Sequence, residues 1–510
     1  MPNPQQPAHL NTRRWSYTSI AIFTTAWLIL QVGGLFSPGL LDDVDSIYIQ
    51  IAREMLSRHD FVTPTIDGIR FFDKPPLMYW LAAGSMRLFG THDWAARIPL
   101  ALGVLALLFA VYALGIRLFA HLSPASHPDR GGLYAALAMA TSIGPYLYTR
   151  FYIPDILIAL WMTLSVHLFL IALERINAFP QNVSSRPERS AVERPAVGSA
   201  TNPGAPDLSH LEIGVSTNSQ GTSPTPGGPP FAHYAKGGVS SEARPLSSTA
   251  AQSPLPPMLA FATVVALSLL TKGLIGIVFP IAFVLLYLTL TRQLNLLPKL
   301  KLPAATAVFA IIAAPWHILA ALRNPAIPMP PGLGLPAKAG WAWFYLYNEH
   351  IARFLSKRIP HDYGQTPIWQ FWLYAFIWML PWAAFLPAAL DLFFPQTYRK
   401  FAGSDREHEA AVSLILWTLL VLGFFTLSAR QEYYSLPALP AIALLLGGTL
   451  AWADSAPTAR ATQSILRWSL WLLTPITTLV AIICAYFAIT APSPAPGVDT
   501  KACTSTTLRL

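Results

Sequence analysis

Apolar runs long enough to cross a bilayer recur along almost the whole of this chain, and they leave it few folds to adopt. About 20 apolar residues span a hydrocarbon core as a helix. In lipid every backbone polar group must be satisfied internally, so such runs fold as helices. Eleven are legible: 17–36, 97–119, 132–149, 154–173, 256–271, 273–292, 302–322, 368–390, 410–428, 432–452 and 464–490, with room for up to thirteen. Hydrophobic residues make up 53% of the 510 and charged residues 12%, with a mean hydropathy of +0.44. A soluble domain carries about 25% charged residues. The expected class is an all-α, multi-pass membrane protein.

Charge orients the spans. The first run follows Arg13-Arg14 and has no small-residue cleavage site after it, so it reads as an uncleaved anchor. With the N-terminus inside, the inside loops collect Arg117 to Arg130, Arg292 with Lys299 and Lys301, Arg399-Lys400 with Arg406, and Arg460 with Arg467. Positive residues favour the inside. Residues 42–97 and 323–367 then face the exterior, which is the periplasm if this is the inner membrane of a Gram-negative cell. The net charge of +9 is dispersed over these short loops and gives no nucleic-acid signature. Cys484 lies in a span and Cys503 in the tail, so neither a disulfide framework nor a metal motif is expected.

Four regions follow. Residues 1–175 form an N-terminal membrane region with a first external loop at 37–96. Residues 176–254 are rich in Ser, Pro, Gly, Thr and Asn and read as a disordered cytoplasmic linker. Residues 255–490 form a second membrane region with an external loop at 323–367, and 491–510 are a tail. In the first loop, Ile47, Ile51 and Met55 recur every four residues, the mark of a short interfacial helix. Leu77 to Leu88 reads as another, opened by Pro75-Pro76 and closed by Gly90.

That loop also concentrates charge. Asp42, Asp43 and Asp45 precede the first short helix. One acid there caps the helix, most naturally Asp45. Three exceed that need, and a carboxylate beside an acceptor hydroxyl is a general base. Lys74, Arg150, Lys272, Arg353 and Arg430 all fall on the exterior side. Taken singly, each reads as a snorkelling or paired interfacial residue. Five on one face point to an anionic ligand such as a phosphate. Asp73 and His350 are candidates to share a divalent metal ion, although two ligands in distant loops are a weak pattern. No HExxH, Cys cluster, Walker motif or GxGxxG occurs, so zinc proteolysis and nucleotide hydrolysis lack support.

The run Asp-Asp-x-Asp, Tyr48, Ala52-Arg53-Glu54-Met55, Arg70-Phe71-Phe72-Asp73-Lys74-Pro75-Pro76, Tyr79-Trp80 and Ala96-Arg97-Ile98-Pro99 resembles the first external loop of bacterial C-type glycosyltransferases. These are family-39-like enzymes related to protein O-mannosyltransferases and to the lipid A aminoarabinose transferase. Later pieces agree in order: Arg150 with Pro154-Asp155, Thr271-Lys272-Gly273, Ala314-Pro315-Trp316, Glu349-His350 with Arg353-Phe354, and Ser428 with Tyr434 and Leu436-Pro437. The resemblance covers nearly all of the chain except the linker and tail.

It implies the C-type glycosyltransferase fold, a sugar donor on a polyprenyl phosphate, and a lipid or protein acceptor at the outer face. It places the catalytic acid at Asp43 or Asp45: Asp45 stands at the family's second acidic position, and Val44 occupies the first. It matches Lys74 to a phosphate-contacting lysine, His350 and Arg353 to loop residues of the site, and Asp155 to a carboxylate near the sugar. No cofactor is required beyond the open question of the divalent ion. A transporter or flippase for a lipid-linked anion is the alternative, but it would place charges near the midplane of repeated halves. A non-catalytic lipid-binding protein is a third class.

Overall fold

The computed structural model describes residues 15–36, 44–178, 253–332, 334–360, 364–398, 406–458 and 460–490. Helix α1 (Tyr17–Val32) leads to α2 (Val44–Arg58), a hairpin β1–β2 (Thr65–Ile66 and Ile69–Arg70) and α3 (Leu77–Phe89). Then come α4 (Asp93–Phe119), α5 (Arg130–Thr141), α6 (Ile143–Tyr148) and α7 (Asp155–Ala178). The second half has α8 (Leu255–Lys272), α9 (Ile275–Leu290), α10 (Leu302–Arg323) and a hairpin β3–β4 (Ile327–Pro328 and Lys338–Ala339). A π-helical segment, Ala342–Ala352, precedes α11 (Ile368–Ile377), α12 (Trp382–Phe393), α13 (Arg406–Leu427), α14 (Leu439–Ser455) and α15 (Arg460–Thr490). Helix α7 continues to Ala178, beyond the expected start of the linker. The rest of that linker, from 179 to 252, and the tail lie outside the described residues.

Among the described residues, seven helices are long and apolar enough to cross a membrane, or eight if α11 and α12 form one span. The sequence reading gave eleven, and the difference has local causes. Helices α1 and α9 are apolar but shorter than a full span. The run 132–149 breaks at Ser142 into α5 and α6, and the run 368–390 bends by 98° between α11 and α12.

Those two breaks meet. The amides of Ile143 and Gly144 donate to the carbonyls of Leu380 (3.0 Å) and Trp378 (2.8 Å). Trp382 Nε1 donates to Thr141 Oγ1 at 2.7 Å, and Ser142 Oγ lies 3.4 Å from Met379 O. A broken helix in an apolar setting frees backbone groups that need partners. Here each interruption supplies partners to the other.

The helix core is built on close backbone approach. A Cβ at Gly132 would sit 2.5 Å from Tyr112 O, and one at Gly447 2.5 Å from Gly131 O. Only glycine lets α4, α5 and α14 pack at that separation, as small residues do between membrane helices.

Candidate active site

The first loop is folded onto α3 by its own motif. Ile49, Ile51, Ala52 and Met55 bury one face of α2, with Tyr79, Ala82 and Met86 of α3 in the same core. Glu54 accepts from Thr65 Oγ1 and from the Asp67 amide, both at 2.6 Å, and so holds the hairpin against α2. The two-residue turn Asp67–Gly68 has φ of 51° and 76°, the geometry of a type I′ hairpin. Arg53 reaches Asp93 at 3.4 Å. The Ala-Arg-Glu-Met motif thus builds the loop.

Asp45 is fully buried in the first turn of α2. It pairs with Arg97 Nη2 at 3.2 Å and accepts the backbone amide of Tyr152. Asp43 lies outside the described residues.

The charges converge at the end of this loop. Asp73 Oδ2 accepts from Lys74 Nζ at 2.6 Å and from the Tyr48 hydroxyl at 3.1 Å. Its Oδ1 accepts from Arg353 Nη1 at 3.1 Å and Arg358 Nη2 at 3.3 Å. Glu349 bridges the same two arginines: Arg353 Nη1 at 3.0 Å and Arg358 Nε at 2.8 Å. Burial disfavours the Asp73 carboxylate, but Lys74 and Arg353 outweigh it and hold its pKa well below the usual range. Glu349 goes the other way: burial, then the neighbouring Asp73, push it up to about 8. Burial also lowers Lys74. Beside this cluster, Lys272 ion-pairs with the buried Asp155, and its ammonium sits 4.2 Å from the centre of the Tyr434 ring.

A cavity of about 320 Å³ opens over these groups, with Lys74, Lys272 and Arg353 on its polar side. Its other wall is apolar: Ile275, Val278, Phe354, Phe424 and Phe425. Val278 and Phe354 are partly exposed, so the apolar wall continues to the outer surface of the helix bundle.

His350 fastens the turn that carries Lys272. Its Nε2 accepts the Leu274 amide at 3.0 Å, so its proton is on Nδ1, which lies 2.5 Å from Tyr345 O. Burial lowers its pKa to about 4, keeping it neutral. Gly273, at φ 87°, makes room: a Cβ there would be 2.2 Å from His350 Nε2.

These contacts correct the expected metal pair. Both His350 nitrogens are engaged by backbone groups, and Asp73 is saturated by cations. Among the described residues no group of three or more His, Cys, Asp or Glu is arranged for a metal ion. The donor set does not fit one at Asp73 and His350.

Two of the five expected cations also lie elsewhere. Arg150 donates to Leu30 O at 2.5 Å and covers the Tyr146 ring at 4.3 Å, tying the end of α1 to the α6–α7 corner. Arg430 donates to the carbonyls of Thr366 (2.8 Å), Ser428 (3.0 Å) and Thr426 (3.2 Å). Each guanidinium serves the backbone, and neither lines the cavity. The sequence reading did not single out Arg358 or the bridging role of Glu349. Glu349 was visible beside His350, but Arg358 had only its place five residues after Arg353.

Residues 73–180, beginning at the Asp73-Lys74 pair, match the family described as dolichyl-phosphate-mannose-protein mannosyltransferase. The chain is 26% identical over 409 residues to the undecaprenyl phosphate-alpha-4-amino-4-deoxy-L-arabinose arabinosyl transferase of Aeromonas salmonicida, covering 79% of this chain and 54% of that protein. It is 25% identical over 451 residues to a Pseudomonas fluorescens protein of the same description, covering 88% and 60%. The crystal structure of ArnT from Cupriavidus metallidurans bound to undecaprenyl phosphate superposes with a TM-score of 0.59 at 20% identity, over 94% of this chain and 66% of that one. The fold is that of the C-type glycosyltransferases. The chain spans between half and two thirds of the length of these proteins.

Proposed function

We propose that this chain is an integral-membrane glycosyltransferase that moves a sugar from a polyprenyl-phosphate donor to a lipid or protein acceptor. One observation carries the reading: fixed cations line one side of a cavity whose other side is apolar and reaches the bundle surface. That is the shape of a ligand with a phosphate head and a hydrocarbon tail. The names of the relatives, one of them crystallised with undecaprenyl phosphate, support it.

In this reading Lys74 and Arg353 hold the donor phosphate, and Lys272 closes the site from the α8–α9 turn. As the acceptor oxygen or nitrogen attacks the anomeric carbon, the bond to phosphate breaks and its electrons stay on phosphate. The cations stabilise the negative charge that develops there, so no separate acid is needed. The acceptor's proton goes to a carboxylate. Asp45 is committed to Arg97 and the Tyr152 amide, which leaves Asp43 as the base. Asp155, with one carboxylate oxygen lacking a hydrogen-bond partner, is next in line.

The membrane arrangement belongs to the same proposal. Counting α1, the α5–α6 pair, α9 and the bent α11–α12 pair as crossings gives eleven. The basic loops then lie in the cytoplasm, the linker 176–254 joins two cytoplasmic ends, and the site faces the periplasm from the inner membrane.

The test is direct. Purified protein is incubated with a radiolabelled prenyl-phosphate sugar and extracted envelope lipids or proteins. Label moving to an acceptor supports the enzyme. Tight donor binding without release of sugar, together with donor crossing of a liposome bilayer, would favour the flippase instead.

A further inference from the structure

The two external loops are tied to each other at the end of α10 by residues that do not line the cavity. Asn324 closes that helix and is 4% exposed. Its Nδ2 donates to Ala320 O at 3.0 Å, one turn back in α10, and to Thr63 Oγ1 of the first loop at 3.2 Å. Its Oδ1 accepts from Arg70 Nη1, on β2 of the same loop, at 3.4 Å. Its backbone carbonyl accepts the Trp341 amide at 3.0 Å, where the second loop returns from the β3–β4 hairpin. That return is close: a Cβ at Gly340 would sit 2.6 Å from the Ala326 nitrogen. Two turns back in α10, Trp316 Nε1 donates to Val62 O at 3.0 Å. Next to this tie, Phe72, Leu270, Trp316, Ala320, Trp341 and Tyr345 form one apolar cluster. Three of them adjoin the cavity-lining groups. Phe72 precedes Asp73 and Lys74, and Leu270 lies two residues before Lys272. The Tyr345 carbonyl accepts from His350, three residues before Arg353.

We propose that Asn324 is a positioning residue for donor binding, fastening both external loops to α10 so that Lys74 of the first stands opposite Arg353 of the second. This rests on the reading of the cavity as a donor site and adds what holds its two sides in register. The contacts of Asp73 to Arg353 and Arg358 join the loops at the cavity itself. A single junction leaves a hinge, and the tie at Asn324 fixes its angle. The position calls for an amide. Nδ2 spends both hydrogens, one of them on a carbonyl, which only accepts. A carboxylate at 324 would set an oxygen against Ala320 O with no hydrogen between them. An apolar side chain would release Thr63 and Arg70.

The experiment reads binding of undecaprenyl phosphate to the purified chain in detergent micelles, with thermal melts run in parallel. Asn324→Asp and Asn324→Ala should each weaken binding by roughly 10–100-fold, the scale of a site displaced from a distance. Thr63→Val keeps the shape, removes the acceptor, and should lose in the same direction. Arg323→Gln breaks the exposed pair to Asp60 at the same helix end and should bind like wild type. The deciding measurement pairs each change with Lys74→Gln. With Lys74 gone there is no pair of cations left to align, so Lys74→Gln/Asn324→Ala should bind about as weakly as Lys74→Gln alone. A residue that merely supports the fold gives losses that multiply. Multiplying losses, or wild-type binding by both Asn324→Ala and Thr63→Val, overturns the proposal. If the Asn324 variants do not fold, Thr63→Val in the same pairing decides. Absence of saturable binding by the wild-type protein would instead overturn the donor-site reading itself.

Discussion

Asp45 and Arg97 form an ion pair in which neither side chain is more than 2% exposed, with Nη2 3.2 Å from Oδ2. Removing one partner of a buried pair leaves the other charge stranded, at a cost of about 3–5 kcal/mol. Asp45→Ala should therefore lower the melting temperature of the purified protein sharply. Asp43→Asn should leave the melt nearly unchanged and cut turnover by about 10²–10⁴-fold, the range of a lost general base. Normal turnover by Asp43→Asn would move the base to Asp155.

Lys74→Ala and Arg353→Ala should each reduce donor use by roughly 10–1000-fold, combining a lost charge-assisted contact with a lost transition-state contact. Steady-state transfer measured against donor concentration checks this. Turnover close to wild type in both variants would remove them from phosphate recognition.

Glu349 gives the site a pH dependence with a definite sign. Its carboxyl titrates at about 8 in the folded protein against 4.5 in the unfolded chain. A raised folded pKa contributes stability below 4.5 that is lost as pH rises toward 8. Asp73, lowered, acts oppositely: its contribution is present above 3.8 and is lost only in acid. Melting temperature should fall as pH rises from about 4.5 to about 8 and level off above it, and donor affinity should fall as pH passes through about 8, where Glu349 gains its negative charge. Glu349→Gln should flatten both profiles. An unchanged slope in that variant would assign the titration to another group.

Gly273→Ala tests the fastening of the Lys272 turn. The backbone there is left-handed and the added methyl meets the His350 ring. Strain of this kind costs about 1–3 kcal/mol. The expected result is reduced transfer with a modest loss of stability. Wild-type transfer by Gly273→Ala would show that the turn tolerates displacement.

Deleting most of the 176–254 linker should leave membrane insertion and the melting temperature intact, because that composition buries little apolar surface. Cysteines placed at Asp67 and Ser216 should label from opposite sides of the membrane. Labelling from the same side would overturn the assigned orientation.

Much of the fold was legible because apolar length and loop charge are local properties of the chain. The short helices at Ile47 to Met55 and from Leu77 were readable from periodicity and proline placement. The breaks at Ser142 and Leu380 were not, because each is stabilised by the other across more than two hundred residues of sequence. The same limit applied to the charges. Lys74, Lys272 and Arg353 were visible as cations near one face, but so were Arg150 and Arg430, and sequence carries no sign that distinguishes a cavity-lining guanidinium from one that caps carbonyls. Arg358 was missed for the converse reason: its meaning lies in two carboxylates, one of them on a different loop.

The two helix breaks that hydrogen-bond to each other act as a lock on register. Inserting one residue into α5 turns everything beyond it by about 100° around the helix axis. The amides of Ile143 and Gly144 would then point away from Leu380 and Trp378. A change of length on either side is tolerable only with a matching change on the other, so these two segments, far apart in the chain, can be redesigned or exchanged between relatives only as a pair.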